Sequence, residues 1–446
     1  VIIVIISIIV TASIISCKSE ETTDISDAPE EPADAVKTEL PLTRVNTDDF
    51  TGSGNCANCH TDLTDSAGND VSIGSHWRST MMANAAKDPI WQAKVDSEVS
   101  RTPGLKEVIE DKCTTCHMPM AHYTAAAAAG QGSVLGDGFV NPDHALHTLA
   151  IDGISCTLCH QIRDDNFGQA DSHSGSFAID TTLPAGEREA FGPHPVAPDQ
   201  AKVMQGASGF VPVESLHVEQ AELCATCHTL YTPYVDAAGE IAGVFPEQMA
   251  YFEWLASSFG GTVTCQFCHM PQAQGEAQLS ITGGPPREPI HQHIFVGGNA
   301  YMLEILRTFG EEMAVTASSA HLQDKREGVI EQLQMRTAAI DLEEVAVDGS
   351  TLTANVAIDS SVGHKLPTGF PARRAWIRFT VQDTTGQVIF QSGAANPDGS
   401  IVGNDNDADP AAYEPHYLTI DSPEQVQIYE SIKDNSEIVD NRSVFY

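Results

Sequence analysis

Basic residues are scarce in this chain: 23 Lys and Arg stand against 61 Asp and Glu, a formal net charge of −38. That balance argues against nucleic acid and against anionic membrane surfaces as partners, because both require cationic faces. It fits solubility and docking to partners with basic faces. Aromatic residues are few as well, at 7%, so the apolar core is modest for 446 residues. Such a length holds two or three domains. Something besides side chains is expected to fill their interior. No Gly-rich phosphate loop, nucleophile elbow or zinc-protease motif occurs, so the common signatures of nucleotide binding and hydrolysis are missing.

Long hydrophobic runs are missing too, except at the start. VIIVIISIIVTASIIS, residues 1–16, carries no charge and is short for a membrane span. It reads as the apolar part of a signal peptide. No initiator Met or basic stretch precedes it, so a truncated start is expected. Cys17 follows Ile14-Ile15-Ser16, as in a bacterial lipoprotein signal cut before a lipidated Cys. A lipid on Cys17 would anchor the chain to a membrane without spanning it. The alternative is an ordinary signal peptide with an incidental Cys. Residues 17–50 are acidic, with few large apolar side chains, and are expected to form a flexible tether.

Periodicity is weak over residues 51–300, which are rich in Gly, Pro, His and Ala. Helical pieces are expected over Met81–Val99 and Phe245–Phe259. Residues 301–339 read as a helical connector, with helices over Tyr301–Phe309 and Ser319–Ala339. The pattern then becomes alternating: Leu352, Ala354, Val356 and Ile358 share one face, and Ile377, Phe379 and Val381 another. Asp383-Thr384-Thr385-Gly386 marks a hairpin turn. Residues 340–446 are therefore expected to form a small C-terminal β-sandwich-like domain. It stops without a closing turn, so a truncated end is expected too.

Cysteine is concentrated in one signature. The five copies are Cys56-Ala-Asn-Cys59-His60, Cys113-Thr-Thr-Cys116-His117, Cys156-Thr-Leu-Cys159-His160, Cys224-Ala-Thr-Cys227-His228 and Cys265-Gln-Phe-Cys268-His269. Zinc knuckles or disulfides explain paired cysteines but not the histidine. His is 17 of 446 residues, so five histidines in five places by chance is on the order of one in ten million. Covalent haem c explains all three residues. Two thioethers to the vinyl groups need cysteines three apart, and the next residue then lies under the iron as an axial imidazole. Five haem c groups are therefore expected in a five-haem domain over 51–300. Packed into about 215 residues from Cys56 to His269, they must lie close together. The expected fold is a multihaem cytochrome c, mostly α-helix and irregular loops packed around haems, ahead of the β domain.

Each iron has a second axial position. His217 lies seven residues before Cys224 and His147 nine before Cys156; such leading positions suit a neighbouring haem. His293 follows the last signature, with His291 its competitor. His76 stands near Met81 and Met82, and one of these three is a candidate; a Met such as Met82 would raise that haem's potential. His122, after CHMPM, and His364, in GHKLPTGF, complete the candidates. Most other histidines must be bystanders.

The phrases DGISCTLCHQI, ELCATCHTLYT, FPEQMAYFEWL, CQFCHMP, HIFVGGN and VGHKLPTGFPARRAW together resemble a family of multihaem c-type cytochromes of the bacterial cell envelope. The resemblance covers most of the chain from about residue 50 on. It implies helices and loops around haems, a following β domain, and electron transfer at or beyond the outer membrane. It favours His147, His217 and His293 as ligands. Pentahaem nitrite reductases share the haem count, but they carry Lys in place of one signature His, and all five signatures here end in His.

Asp405-Asn406-Asp407-Ala408-Asp409 offers oxygen ligands suited to Ca2+. It fails as an EF-hand loop, because Pro410 stands where Gly is needed and His416 where the bidentate Glu belongs. The expected function is an exported electron relay between redox proteins, with no nucleic-acid partner. Its place is the periplasm or the outer membrane, as a lipoprotein. The alternatives are a reductase of a small nitrogen or sulfur oxyanion with one open haem, and a subunit of an extracellular cytochrome filament.

Overall fold

The computed structural model describes residues 3–12, 38–236, 240–404, 414–432 and 442–443. Cys17, most of the acidic tether and the Asp405–Asp409 cluster lie outside the described residues, as does the end of the chain at 444–446. The chain divides into two compact units. One comprises Ala35–Ala242 and Phe259–Gln332; the other comprises Val1–Asp34, Gly243–Ser258 and Leu333–Tyr446.

In the larger unit the apolar residues gather in several small clusters. The helix Pro89–Arg101 begins where Asp88 caps it, accepting from the amides of Ile90 at 2.9 Å and Trp91 at 3.1 Å, with Pro89 in the first turn. It buries Trp91 and Val95 against Met118, Ala121, Val134 and Phe139. The helices Lys106–His117 and Pro119–Ala127 follow, divided at Pro119, which cannot continue the first helix but starts the second well. A second cluster joins Phe50, Met120, Leu149 and Leu158, and a third joins Leu63, Val71, Ala277 and Ile290.

The expected connector divides differently. The helix Ala300–Thr308 buries Met302, Leu303 and Leu306, and the helix Ser319–Met335 buries Leu322, Lys325 and Val329. Up to Gln332 these residues group with the larger unit. Lys325 is one tie to that unit: its Nζ donates to the Ile294 carbonyl at 2.6 Å, and burial lowers its pKa to about 7.

The smaller unit is built on antiparallel strands. Arg373–Gln382 is the central strand of a five-stranded sheet. Val388–Ser392 and Ile428–Ile432 share one of its edges, and Arg442–Ser443 extends the latter. The expected turn forms between the first two: Asp383 Oδ1 accepts from the amides of Thr385 and Gln387, and Gly386 takes a φ of +86°. Ala338–Asp348 and Thr351–Ser360 form a separate hairpin, with Ile340 opposite Ile358 and Leu342 opposite Val356. Trp376, Ile401, Val426 and Ile428 make a small core.

Residues Ile3–Ala12, within the expected signal peptide, form a strand along the other edge of Arg373–Gln382, from Ile3 opposite Gln382 to Ala12 opposite Arg373. The run is mostly β-branched, which favours extended backbone. Among the described residues no helix is long and apolar enough to cross a membrane. The helical piece expected over Phe245–Phe259 is shorter, Ala250–Leu255, and it belongs to this unit. There Glu253 accepts from the amide of Lys365 at 3.2 Å and from the Thr368 hydroxyl.

Candidate haem sites

All five signatures lie on helical turns. The first occupies the helix Ser53–Ala57, and its turn is carried on by the amides of Cys59 and His60 donating to the Cys56 carbonyl. The second ends the helix Lys106–His117 and the fourth ends Ala221–His228. The third is the helix Cys156–Cys159 with His160 as its cap, and the fifth is Cys265–His269. A helical turn brings positions three apart onto one face. Each pair of thiols therefore shares a side, with the imidazole next around the turn. None of the ten cysteines of the signatures is in a disulfide.

The histidines are oriented through one ring nitrogen. Nδ1–H of His60 donates to the Leu279 carbonyl, that of His117 to Ala85 at 3.2 Å, that of His160 to Phe191 and that of His269 to Val296. A carbonyl can only accept, so Nδ1 carries the proton and Nε2 carries the lone pair. This is the tautomer an iron ligand needs, held by the kind of outer hydrogen bond that fixes ring orientation and raises basicity. Trp91 stacks on His117, with ring centres 4.3 Å apart and planes 6° apart. Burial lowers the His117 pKa to about 4, partly offset by its bond to Ala85, so the ring is neutral at physiological pH. Burial pushes the Cys159 thiol up to about 12, with Cys227 adding to the effect.

The candidate second ligands differ among themselves. His293 stands near His160, with ring centres 6.2 Å apart and planes 21° apart. Two imidazoles bound to one metal at about 2.0–2.1 Å each have ring centres roughly 6 Å apart, so this pair has the spacing of two axial ligands. Burial lowers the His293 pKa to about 3, with His160, His60 and His76 contributing. His147 carries the same Nδ1–H anchor as the signature histidines, to the Phe139 carbonyl at 2.9 Å. His291 does too, to Met270 at 2.8 Å.

The remaining candidates are placed otherwise. His217 is buried with both nitrogens engaged: Nδ1 with Ser215 Oγ at 2.6 Å, and Nε2–H donating to the Ile162 carbonyl at 2.8 Å. His122 Nε2 faces Asp111 Oδ1 at 3.2 Å. His76 Nε2 lies 3.7 Å from Asp70, and burial lowers its pKa to about 4 against the opposing pull of that carboxylate. The Met82 side chain is half-buried. His364 lies in the smaller unit, where its Nδ1–H donates to the Lys365 carbonyl at 2.8 Å.

These placements predict opposite results for two substitutions. With haem c bound, His293→Ala should convert one low-spin haem to high-spin in the oxidised EPR spectrum. His217→Ala leaves the number of low-spin signals unchanged and lowers stability by about 2–3 kcal/mol, through two lost hydrogen bonds and a cavity. A high-spin signal in His217→Ala, with none in His293→Ala, would reverse the assignment.

Several supporting residues carry no local sequence signal. Asp152 accepts from Ser53 N at 2.9 Å and Ser53 Oγ at 2.6 Å, tying the first signature to the approach of the third. Arg188 pairs with Asp49 at 2.7 Å and donates to Gln161, directly after the third signature. Their partners are distant in sequence, so no short pattern marks them. Among the described residues no three His, Cys, Asp or Glu side chains converge to hold a metal by themselves. Haem iron brings four porphyrin nitrogens of its own and asks the protein only for axial donors, which these imidazoles fit. In comparison with known proteins, the chain matches no family model, no curated protein and no solved structure.

Proposed function

We propose that this chain is an electron-transfer protein of the cell envelope that relays electrons through five covalently bound c-type haems. The observation that carries the reading is the repeated site. Five CxxCH turns are helical, and four of their histidines are anchored through Nδ1–H to a backbone carbonyl. When bound, haem c supplies one-electron chemistry at its iron. The protein's share is placement. The paired thiols provide two attachment points per site, and the carbonyls hold four of the five imidazoles in one tautomer. The acidic surface steers basic partner faces, so docking weakens as salt rises.

The test is composition. Protein matured in a host that attaches haem c should carry five haems by mass, with the pyridine haemochrome spectrum of two thioethers per haem. A sample with fewer than five after full maturation, or with no Soret band, overturns the reading.

A further inference from the structure

Among the described residues four Lys and Arg side chains are buried: Arg78, Lys87, Arg188 and Lys325. A buried charge is costly unless an opposite charge stands beside it. Three of the four meet that condition. Arg78 pairs with Glu39, and Arg188 with Asp49 at 2.7 Å. Burial raises the pKa of Asp152 and Lys87 is among the groups that pull it back, so Lys87 also has a carboxylate in reach. Lys325 is the exception. Its Nζ donates to the Ile294 carbonyl at 2.6 Å, a neutral group. Burial lowers its pKa to about 7, with no carboxylate among the described residues to raise it again. Lys325 and His321 both act on the buried His76, so three bases stand together. The two carboxylates beside them are engaged. Asp70 accepts from the Ser72 amide at 3.0 Å and faces His76 at 3.7 Å, while Glu39 holds Arg78 and, at 2.7 Å, His321.

The position of Lys325 points to the missing charge. Ile294, whose carbonyl holds the ammonium, follows His293 directly. The His293 ring in turn stands opposite His160 at 6.2 Å, the spacing of two axial ligands. All of these residues belong to the larger unit. We propose that Lys325 binds a propionate carboxylate of the haem held between His160 and His293. The inference rests on the haem reading above and deepens it by naming the residue that neutralises that group. Haem c keeps two propionates at the rim of its ring, anionic at neutral pH like other carboxylates. One of them supplies the negative charge that Lys325 lacks. It also supplies acceptors: the Ile294 carbonyl takes one of the three N–H groups of the ammonium, and carboxylate oxygens can take the others. The helix Ser319–Met335, far from the signatures in sequence, thereby acts on the electronics of one site.

Removing the lysine charge would leave that propionate uncompensated. A bare negative charge favours ferric over ferrous iron, so the potential of that haem should fall. Holoprotein is compared with Lys325→Met and Lys325→Arg in an EPR-monitored redox titration, each first checked by mass for five haems. The haem to follow is the low-spin one that His293→Ala turns high-spin. Its midpoint should fall in Lys325→Met and stay near the wild-type value in Lys325→Arg, and the other four midpoints should move less. Lys325→Gln keeps a donor for the Ile294 carbonyl without the charge. It should behave as Lys325→Met does, and it replaces that variant if the latter fails to accumulate. A lysine with a structural role alone would lower the melting temperature and leave every midpoint in place, which overturns the proposal. A fall confined to another haem, or an equal fall in Lys325→Arg, overturns it as well. A wild-type mass without five haems overturns the haem reading instead.

Discussion

Made without haem attachment, this chain should show no cooperative thermal unfolding, while the haem-loaded protein melts in a sharp transition. The apolar clusters of the larger unit are small and separate. The signature helices are short, from four residues at Cys156–Cys159 to twelve at Lys106–His117. Helices of that length are marginal in water and depend on tertiary packing. Each haem would add a large apolar surface and cross-link two positions of one turn, in the way that metal binding can supply the folding free energy of a small domain. Far-UV circular dichroism through a thermal scan checks this. A haem-free chain that melts cooperatively at the holoprotein's temperature would show that side chains alone suffice.

Gly153→Ala should destabilise the protein by about 3 kcal/mol, equivalent to a fall of roughly 6–12 °C in melting temperature for a unit of this size. Gly153 adopts a φ of +65°, and an added Cβ would lie 2.6 Å from the Met82 carbonyl oxygen and 2.8 Å from that of Ala83. Both obstacles are backbone. Moving them would disturb the Ile154 amide bond to Met82 at 3.1 Å, and with it the approach to Cys156. Loss of haem from the third site should therefore accompany the fall. Gly104→Ala is the control, since nothing stands within 4 Å of its added Cβ. Equal melting temperatures for the two variants would show that the Met82–Ala83 segment yields freely.

Much of the local structure is legible in the sequence because its causes are local. A helical piece over Met81–Val99 is expected, and an α-helix does form there, though only from Pro89, where Asp88 caps it. Asp383-Thr384-Thr385-Gly386 announces a turn, and the Asp383 side chain closes it. The alternation of Leu352, Ala354, Val356 and Ile358 gives one half-buried face of a strand. Where causes are distant, the sequence is silent. The segment Gly243–Ser258 sits between the fourth and fifth signatures, yet it belongs with the C-terminal strands. Bonds from Lys365 and Thr368 to Glu253, across more than a hundred residues, reveal this. The apolar residues from Ile3 to Ala12 read as an export signal by composition, but nothing local to them names Arg373–Gln382 as a strand partner.

The sequence by itself determined the chemistry of the sites. Spacing of three and then one within a helical turn is a short-range property, so CxxCH presents two thiols and an imidazole together wherever it stands. Only the tertiary structure decided which imidazole approaches which, and which thiols meet. His60 finds its carbonyl at Leu279, and Cys116 finds Cys227. Such pairings depend on closing long loops, and the free energy of closure changes only slowly with loop length. Nothing in a residue's own neighbourhood therefore selects its distant partner; the packing of the whole unit does.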